Sequence, residues 1–341
     1  MFWKIMTKLW KTIPLVLGSF LIISGVYLNQ KEKEIVQPVV KEVSAPKEEI
    51  PKEEPPKEEP PEPIPYTGVE YIALAGIDRS SQNDADNSDC MILVQLDHDN
   101  QTIKMYSIYR DTYLKVDQFE YFKANSAYNR GGPEGFLSML NQNLDLNVAK
   151  YVTVDFQAMQ QVVDAVGGID LTVSAAEASE INRYNGHTAE VCNVPYQTIP
   201  ETEGTYHLNG SQTVSFCRIR MIDDDFARTN RQRVVLSVLL EKIRSVSPLD
   251  LLKAVNGVTP YVQTNVENPL NYALIVKNYQ IVHMDGFPFE KTCAYVGRAD
   301  CVIPINFEAN VRRLHEELGD IGYQPSQNVM DVQNHLHEMG F

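Results

Sequence analysis

Nineteen consecutive uncharged residues, Thr12 to Gln30, constrain this chain before any other feature does. At ~1.5 Å per residue, a helix of that length just spans the ~30 Å hydrocarbon core of a bilayer. Lys4, Lys8 and Lys11 precede the run and a Glu-rich tract follows it. That asymmetry sets residues 1–11 on the cytoplasmic side and the rest of the chain outside. No small-x-small cleavage site marks the end of the run, which reads Gly25-Val26-Tyr27-Leu28-Asn29. An uncleaved signal anchor over 12–30 is therefore expected ahead of a cleaved signal peptide. Pro14 and Gly18 are compatible with it, since membrane spans tolerate both.

Residues 31–65 carry six Lys, ten Glu and a near-repeat of Pro-Lys-Glu-Glu-Pro. They have almost nothing to bury, so a disordered spacer with extended polyproline II character is expected. Residues 66–341 then hold 21 Lys and Arg against 35 Asp and Glu, a net of −14. Neutralising phosphates along a nucleic acid needs a basic surface, so that partner class is excluded.

The folded part begins near Tyr66. Apolar runs at 71–77, 91–96 and 102–108 read as strands, the last two joined by a hairpin through Asp-His-Asp-Asn. A helix is expected from Gly132-Pro133-Glu134 to Leu146, then a strand at 151–156, a helix at 157–166 and a strand at 169–173. Val234–Ile243 is an apolar helical stretch; strands near 261–264, 280–284 and 302–305 precede a helix over 307–318. The alternation predicts an α/β fold with a central mixed sheet covered by helices. Residues 321–341, with His335 and His337, read as a loose tail.

Five of the thirteen Arg fall within sixteen residues: Arg218, Arg220, Arg228, Arg231 and Arg233. Arg228, Arg231 and Gln232 share a helical face, and Asp223-Asp224-Asp225 precedes them as capping carboxylates. A helix N-terminus flanked by guanidinium forks suits a polyphosphate. A surface network in which these Asp and Arg neutralise one another fits the same residues. Asp78 ends the first strand and Asp89 opens the second. Two such carboxylates match one Mg²⁺ or Mn²⁺ beside phosphate, although Asp is also a common turn residue. Arg110-Asp111 ends the third strand, and Lys123 opens a polar patch.

Seven segments resemble, in order and spacing, the LytR-CpsA-Psr family of bacterial envelope proteins. They are GIDR at 76–79, NSDCMILV at 87–94, SIYRDTY at 107–113, KANSAYNRGG at 123–132, VDAVGGIDLTV at 163–173, HLNGSQTVSFCRIR at 207–220 and DDFARTNRQR at 224–233. The resemblance covers residues 66–320. It implies an α/β/α sandwich with a hydrophobic pocket, and transfer of a phosphoglycan (teichoic acid, capsular or other wall polymer) from a polyprenyl-pyrophosphate carrier to peptidoglycan. Asp78 and Asp89 resemble the family's Mg²⁺ acids. Arg110, Arg218, Arg220, Arg228 and Gln232 resemble its pyrophosphate-gripping residues. Lys123 matches the Lys of its K-x-N-x-A-Y segment and Asp225 the acid of D-F-x-R. Tyr109, Cys90 and Asn87 stand where the family usually has Pro, Thr and Arg.

Together these readings put Arg110, Asp225 and Asp111 at the reacting centre. Arg218, Arg220, Arg228, Gln232, Lys123 and Arg231 grip the pyrophosphate, and Asp78 and Asp89 hold the metal. Asp225 or Asp111 would act as base or only orient an Arg. Apolar side chains of the 131–146 and 234–243 helices would line a tunnel for the isoprenoid. A non-catalytic envelope protein that binds glycan or lipid, and a hydrolase using water as nucleophile, are the competing readings. Of five Cys, Cys293 and Cys301 are expected as a disulfide across a hairpin, with Cys192–Cys217 a second pair.

Overall fold

The computed structural model describes residues 65–78 and 87–341. The anchor, the spacer as far as residue 64, and the loop after Asp78 lie outside those residues. Among the described residues no helix is long and apolar enough to cross a membrane.

In chain order the elements are β1 (Val69–Ile77), β2 (Ser88–Asp97), β3 (Thr102–Ile108), β4 (Tyr113–Lys115), β5 (Tyr121–Lys123) and α1 (Ser126–Leu144). Next come β6 (Lys150–Val154), α2 (Phe156–Ala165), β7 (Ile169–Val173), α3 (Ala175–Val191), β8 (Gly204–Leu208), α4 (Gly210–Cys217) and α5 (Asp225–Ser245). The last are α6 (Pro248–Val258), β9 (Gln263–Thr264), α7 (Pro269–Val276), β10 (Gln280–Phe287), β11 (Lys291–Val296), β12 (Ala299–Pro304), α8 (Phe307–Leu318) and α9 (Gln327–Glu338).

The central sheet has six strands in the order β10-β3-β2-β1-β6-β9. It is mixed: β1 runs parallel to β6 and β3 to β10, while β2 is antiparallel to both β1 and β3. Unbroken apolar runs such as YIALAGI suit strands covered on both faces. Alternation divides them accordingly: Ala73, Ala75, Leu93, Tyr106 and Ile108 enter a core shared with α1, α8 and α9. Ile72, Ile92, Val94, Ile103 and Met105 face the opposite layer with Leu236, Tyr272 and Ile275. The result is an α/β/α sandwich.

Two sequence expectations change. The expected 132–146 helix is the second half of α1, which starts at Ser126 and breaks at Gly132 (φ 59°). Pro133 then opens the second segment, where a missing N–H does no harm. Residues 321–341 are also not a loose tail: α9 buries Val329, Val332 and Leu336 in the main core. Helix α3 gave no apolar stripe to read, because half of its buried residues are Asn182, Asn185 and Thr188.

Helix α4 depends on a close approach. Asn209 caps it in a reciprocal box with Gln212, and Gly210 lies against the backbone of Gln160 on α2. A Cβ at Gly210 would come within 2.8 Å of the Gln160 Cα. Gly210→Ala should therefore cost about 2 kcal/mol, the scale of core overpacking, visible as a lower urea midpoint at unchanged m-value.

Candidate functional site

The carboxyl ends of β1, β3 and β6 lie on one edge of the sheet, where ligands bind in open α/β folds. A cavity of about 430 Å³ opens there between the sheet and α2, α4 and α5. Its walls are apolar, including Leu74, Ile92, Val152, Met159, Leu236 and Leu239; its other end carries Asp78, Asp89, Arg218, Arg220, Arg228 and Gln232. The 234–243 stretch thus lines the cavity as expected. The 131–146 stretch does not: α1 lies on the opposite face, with Phe136, Met139 and Leu140 in the main core.

Each polar residue is placed by a local device. The β1–β2 ladder slips register between Gly76↔Cys90 and Ile77↔Ser88, so Asp89 is the extra residue of a bulge, which re-aims its side chain. Asp224 caps α5 by accepting from the Ala227 N–H at 2.9 Å. That start places Arg228 and Gln232, one turn apart, on the cavity side. Arg218 is the C-terminal cap of α4; its guanidinium lies 4.3 Å from the Phe156 ring centroid and donates to the Thr188 hydroxyl at 2.9 Å. Phe156 and Thr188 carry no sequence signal for this role, since only tertiary packing brings them under Arg218.

The charges form one connected set. Asp89 accepts from Arg110 at 2.6 Å and from Arg220 at 2.9 Å. Burial works to raise the Asp89 carboxyl, but Arg110, Arg228 and Arg220 together hold it below its ordinary range. Asp225 bridges Arg228 at 2.6 Å and Arg110 at 3.5 Å. Asp111 pairs with Lys123 at 3.0 Å and with Arg110 at 3.5 Å. Lys123 thus stands behind Asp111, one ion pair removed from Arg110. None of Lys123, Arg110, Asp111 and Asp225 belongs to the cavity lining, which Arg110 adjoins through Asp89 and Asp225 through Arg228.

Arg228 is the least solvated of these cations. The residue is 1% exposed; its Nη2 is ion-paired with Asp225 at 2.6 Å, while Nε and Nη1 make no hydrogen bond among the described residues. Burial depresses its pKa, Asp225 opposes that effect, and Arg110 and Arg220 add to it.

Arg231, expected among the phosphate-gripping residues, is placed elsewhere. It is buried against Glu177 at 2.9 Å and Asp223, and donates to the Ile219 carbonyl. At 100° per residue it lies 60° to one side of Arg228 and Gln232 40° to the other; only Gln232 reaches the cavity. The Asp–Arg neutralisation expected as an alternative for the whole cluster holds for Arg231 with Asp223 and for Arg228 with Asp225, and of these two only Arg228 also lines the cavity.

Tyr109 anchors the edge of the site. Its ring meets Phe226 edge-on at 4.7 Å, and Phe226 follows Asp225 at the start of α5. A Cβ on Gly286 of β10 would overlap the Tyr109 hydroxyl, so glycine there leaves room for the hydroxyl end of the ring.

Neither expected disulfide forms; all five cysteines are free. Cys293 faces Val302 and Cys301 faces Ala294, so the two thiols leave opposite faces of the β11–β12 ribbon. Cys217 lines the cavity with Cys90, whose thiol burial pushes up to about 12. Ellman titration of the native protein should show one rapid thiol, the exposed Cys293, with the other four at least tenfold slower.

The LytR_cpsA_psr family model matches residues 29–297. The Bacillus subtilis polyisoprenyl-teichoic acid–peptidoglycan teichoic acid transferase TagV is 31% identical over 197 residues, 55% of this chain and 47% of that protein. Biofilm regulatory protein A of Streptococcus mutans is 32% identical over 210 residues, 58% and 50% of the two chains. The chain thus spans about half the length of these curated relatives. The crystal structure of Bacillus subtilis TagV aligns with a TM-score of 0.60 at 27% identity, covering 76% of this chain and all of that one. A structure of Bacillus subtilis YwtF (TagT) with bound octaprenyl pyrophosphate lipid shares the fold, with a TM-score of 0.54 at 21% identity over 74% and 91%.

Proposed function

This chain belongs to the LytR-CpsA-Psr family, and we propose that it transfers a phosphoglycan from a polyprenyl-pyrophosphate carrier to a hydroxyl of peptidoglycan. The observation that carries this reading is the buried Arg228 guanidinium at the charged end of an apolar cavity: Asp225 pairs with its Nη2, while Nε and Nη1 have no hydrogen bond among the described residues. Leaving such donors buried and unpaired is costly, and a phosphate oxygen is the acceptor that matches them in charge and geometry. An isoprenoid tail fits the apolar remainder. The names and the bound lipid of TagV and TagT favour the same chemistry.

Arg218, Arg220, Arg228 and Gln232 bind the pyrophosphate, and Arg110 faces the phosphorus that reacts. The acceptor hydroxyl attacks the glycan-side phosphorus, the P–O bond to polyprenyl phosphate breaks, and the hydroxyl proton leaves with the departing phosphate. Guanidinium charge stabilises what develops on the departing phosphate. Asp111 and Asp225 each hold Arg110, so both are assigned to orienting it. Asp78 and Asp89, hard oxygen donors at the same cavity end, fit a Mg²⁺ or Mn²⁺ ion, which when bound neutralises phosphate charge. Pyrophosphate entry would draw Arg110 and Arg220 toward itself and release Asp89 for that ion. The anchor over 12–30 would keep the site outside the cell membrane, and an extended spacer over 31–65 would reach up to about 100 Å from it.

The test uses the full chain in detergent with a polyprenyl-pyrophosphate saccharide, Mg²⁺ and peptidoglycan oligomers. Release of polyprenyl phosphate that needs Arg110 and Asp78, with saccharide on the oligomer, establishes the transferase. Saccharide released only into water makes it a hydrolase. The name of the Streptococcus mutans relative favours a second reading, a regulatory lipid binder. Tight binding without turnover would move the assignment there.

A further inference from the structure

On the far face of the sheet, a second group of polar side chains meets outside the site described above. The β10–β3 ladder slips between Ile281 and His283, after which His283 and Asp285 point to the same face, two residues apart. Glu317, in the last turn of α8, lies over them. One donor atom from each of His283, Asp285 and Glu317 falls within 4.8 Å of the other two.

These atoms satisfy one another only in part. His283 Nε2 and Glu317 Oε2 pair at 3.1 Å, but both atoms are buried without a well-formed hydrogen bond among the described residues. Beneath them lies Tyr106, 0% exposed, its ring 5.3 Å from that of His283. Its hydroxyl has no well-formed hydrogen bond among the described residues. Burial first, and then the Glu317 charge, a side-chain contact with Glu317 and the Asp285 charge, raise the Tyr106 phenol, which places its oxygen beside the carboxylates. Three buried polar atoms that satisfy one another only in part leave capacity at one spot for a ligand.

We propose that His283, Asp285 and Glu317 form a binding site for a divalent cation of the zinc class. One imidazole nitrogen and two carboxylate oxygens make a borderline donor set, suited to Zn²⁺ or Mn²⁺ and unlike the all-oxygen set that Mg²⁺ prefers. Arg313 already orients the carboxylates from outside: it donates to Glu317 Oε1 at 2.8 Å and contacts Asp285 Oδ2 at 3.4 Å, leaving Glu317 Oε2 turned inward. Such outer partners fix ligating groups in place. Lys104 bonds the Glu317 backbone carbonyl, so its charge is spent away from the carboxylate. A bound ion would tie the edge strand β10 to α8 and stabilise the domain by mass action. The site lies across the sheet from Asp78 and Asp89, so the two act independently.

The test uses the untagged full chain in detergent, stripped with EDTA and dialysed. Zn²⁺ is titrated by calorimetry, and Co²⁺ by its visible absorption as a spectroscopic substitute. One Zn²⁺ per chain is expected, with a higher melting temperature. His283→Gln and Glu317→Gln should each weaken binding at least tenfold while melting like the wild type in EDTA. Asp78→Asn should leave Zn²⁺ affinity unchanged. Should either ligand variant fail to fold, Asp285→Asn replaces it. No Zn²⁺ binding at micromolar levels, binding unchanged in the ligand variants, or loss in Asp78→Asn would overturn the proposal.

Discussion

Arg228→Met is expected to abolish pyrophosphate binding while moving the melting temperature by no more than a few degrees. The residue is 1% exposed; Asp225 pairs with its Nη2 at 2.6 Å, while Nε and Nη1 lack hydrogen bonds among the described residues, and Arg110 and Arg220 oppose its charge. Removing one partner of a buried ion pair usually destabilises. Here Asp225 is partly exposed and keeps Arg110 at 3.5 Å, and the change also relieves the burial and like-charge repulsion of the guanidinium. The two effects oppose each other, and a melting temperature within a few degrees of the wild type follows. Binding changes far more. Two or more charge-assisted hydrogen bonds to phosphate, at ~1.5–3 kcal/mol each, are lost, an affinity drop on the order of 10³-fold. Calorimetry with a short-chain prenyl pyrophosphate and a thermal melt measure both quantities on one sample. A variant that melts well below the wild type but binds normally would make Arg228 a structural residue and remove the main support for the proposed function.

Filling the cavity should separate the lipid from its headgroup. Leu236 reaches the cavity from α5 and is only partly buried against the second core, so Leu236→Trp can enlarge into the empty volume without displacing packed neighbours. Turnover of a long polyprenyl-pyrophosphate glycan is expected to fall by at least two orders of magnitude. Each apolar group denied a place in the cavity forfeits ~25 cal/mol per Å², and several isoprene units would be excluded. A short-chain analogue that reaches only Arg218, Arg220 and Arg228 should bind within a few-fold of the wild type. Equal loss for both carriers would show a misfolded site, and no loss for either would place the lipid elsewhere.

Much of the site was legible because its residues sit at punctuation in the sequence. Asp78, Asp89 and Arg110 mark strand ends, and Asp224-Asp225 marks a helix start; both positions are set by local backbone rules. Arg231 was misplaced because a helical spacing of three and a spacing of four differ by 100° around the axis, and only the neighbours decide which of the two faces the cavity. The same limit hid the cysteines: hairpin proximity suggested a bond between Cys293 and Cys301, while a one-residue difference in register puts them on opposite faces.

By itself the sequence determined the α/β alternation, both apolar faces of the central strands, the charge pattern and the family. All of these are local or additive: periodicity, capping and composition need no knowledge of distant contacts. Only the tertiary structure decided that α5 rather than α1 walls the cavity, that Arg218 rests on Phe156, and that Arg228 is buried with Nε and Nη1 unsatisfied. It also brought His283 and Asp285 of one strand under Glu317 of a helix that starts twenty residues later. These are pairings between separate segments, and they are fixed by how whole layers pack; no residue type or spacing within either segment encodes its partner.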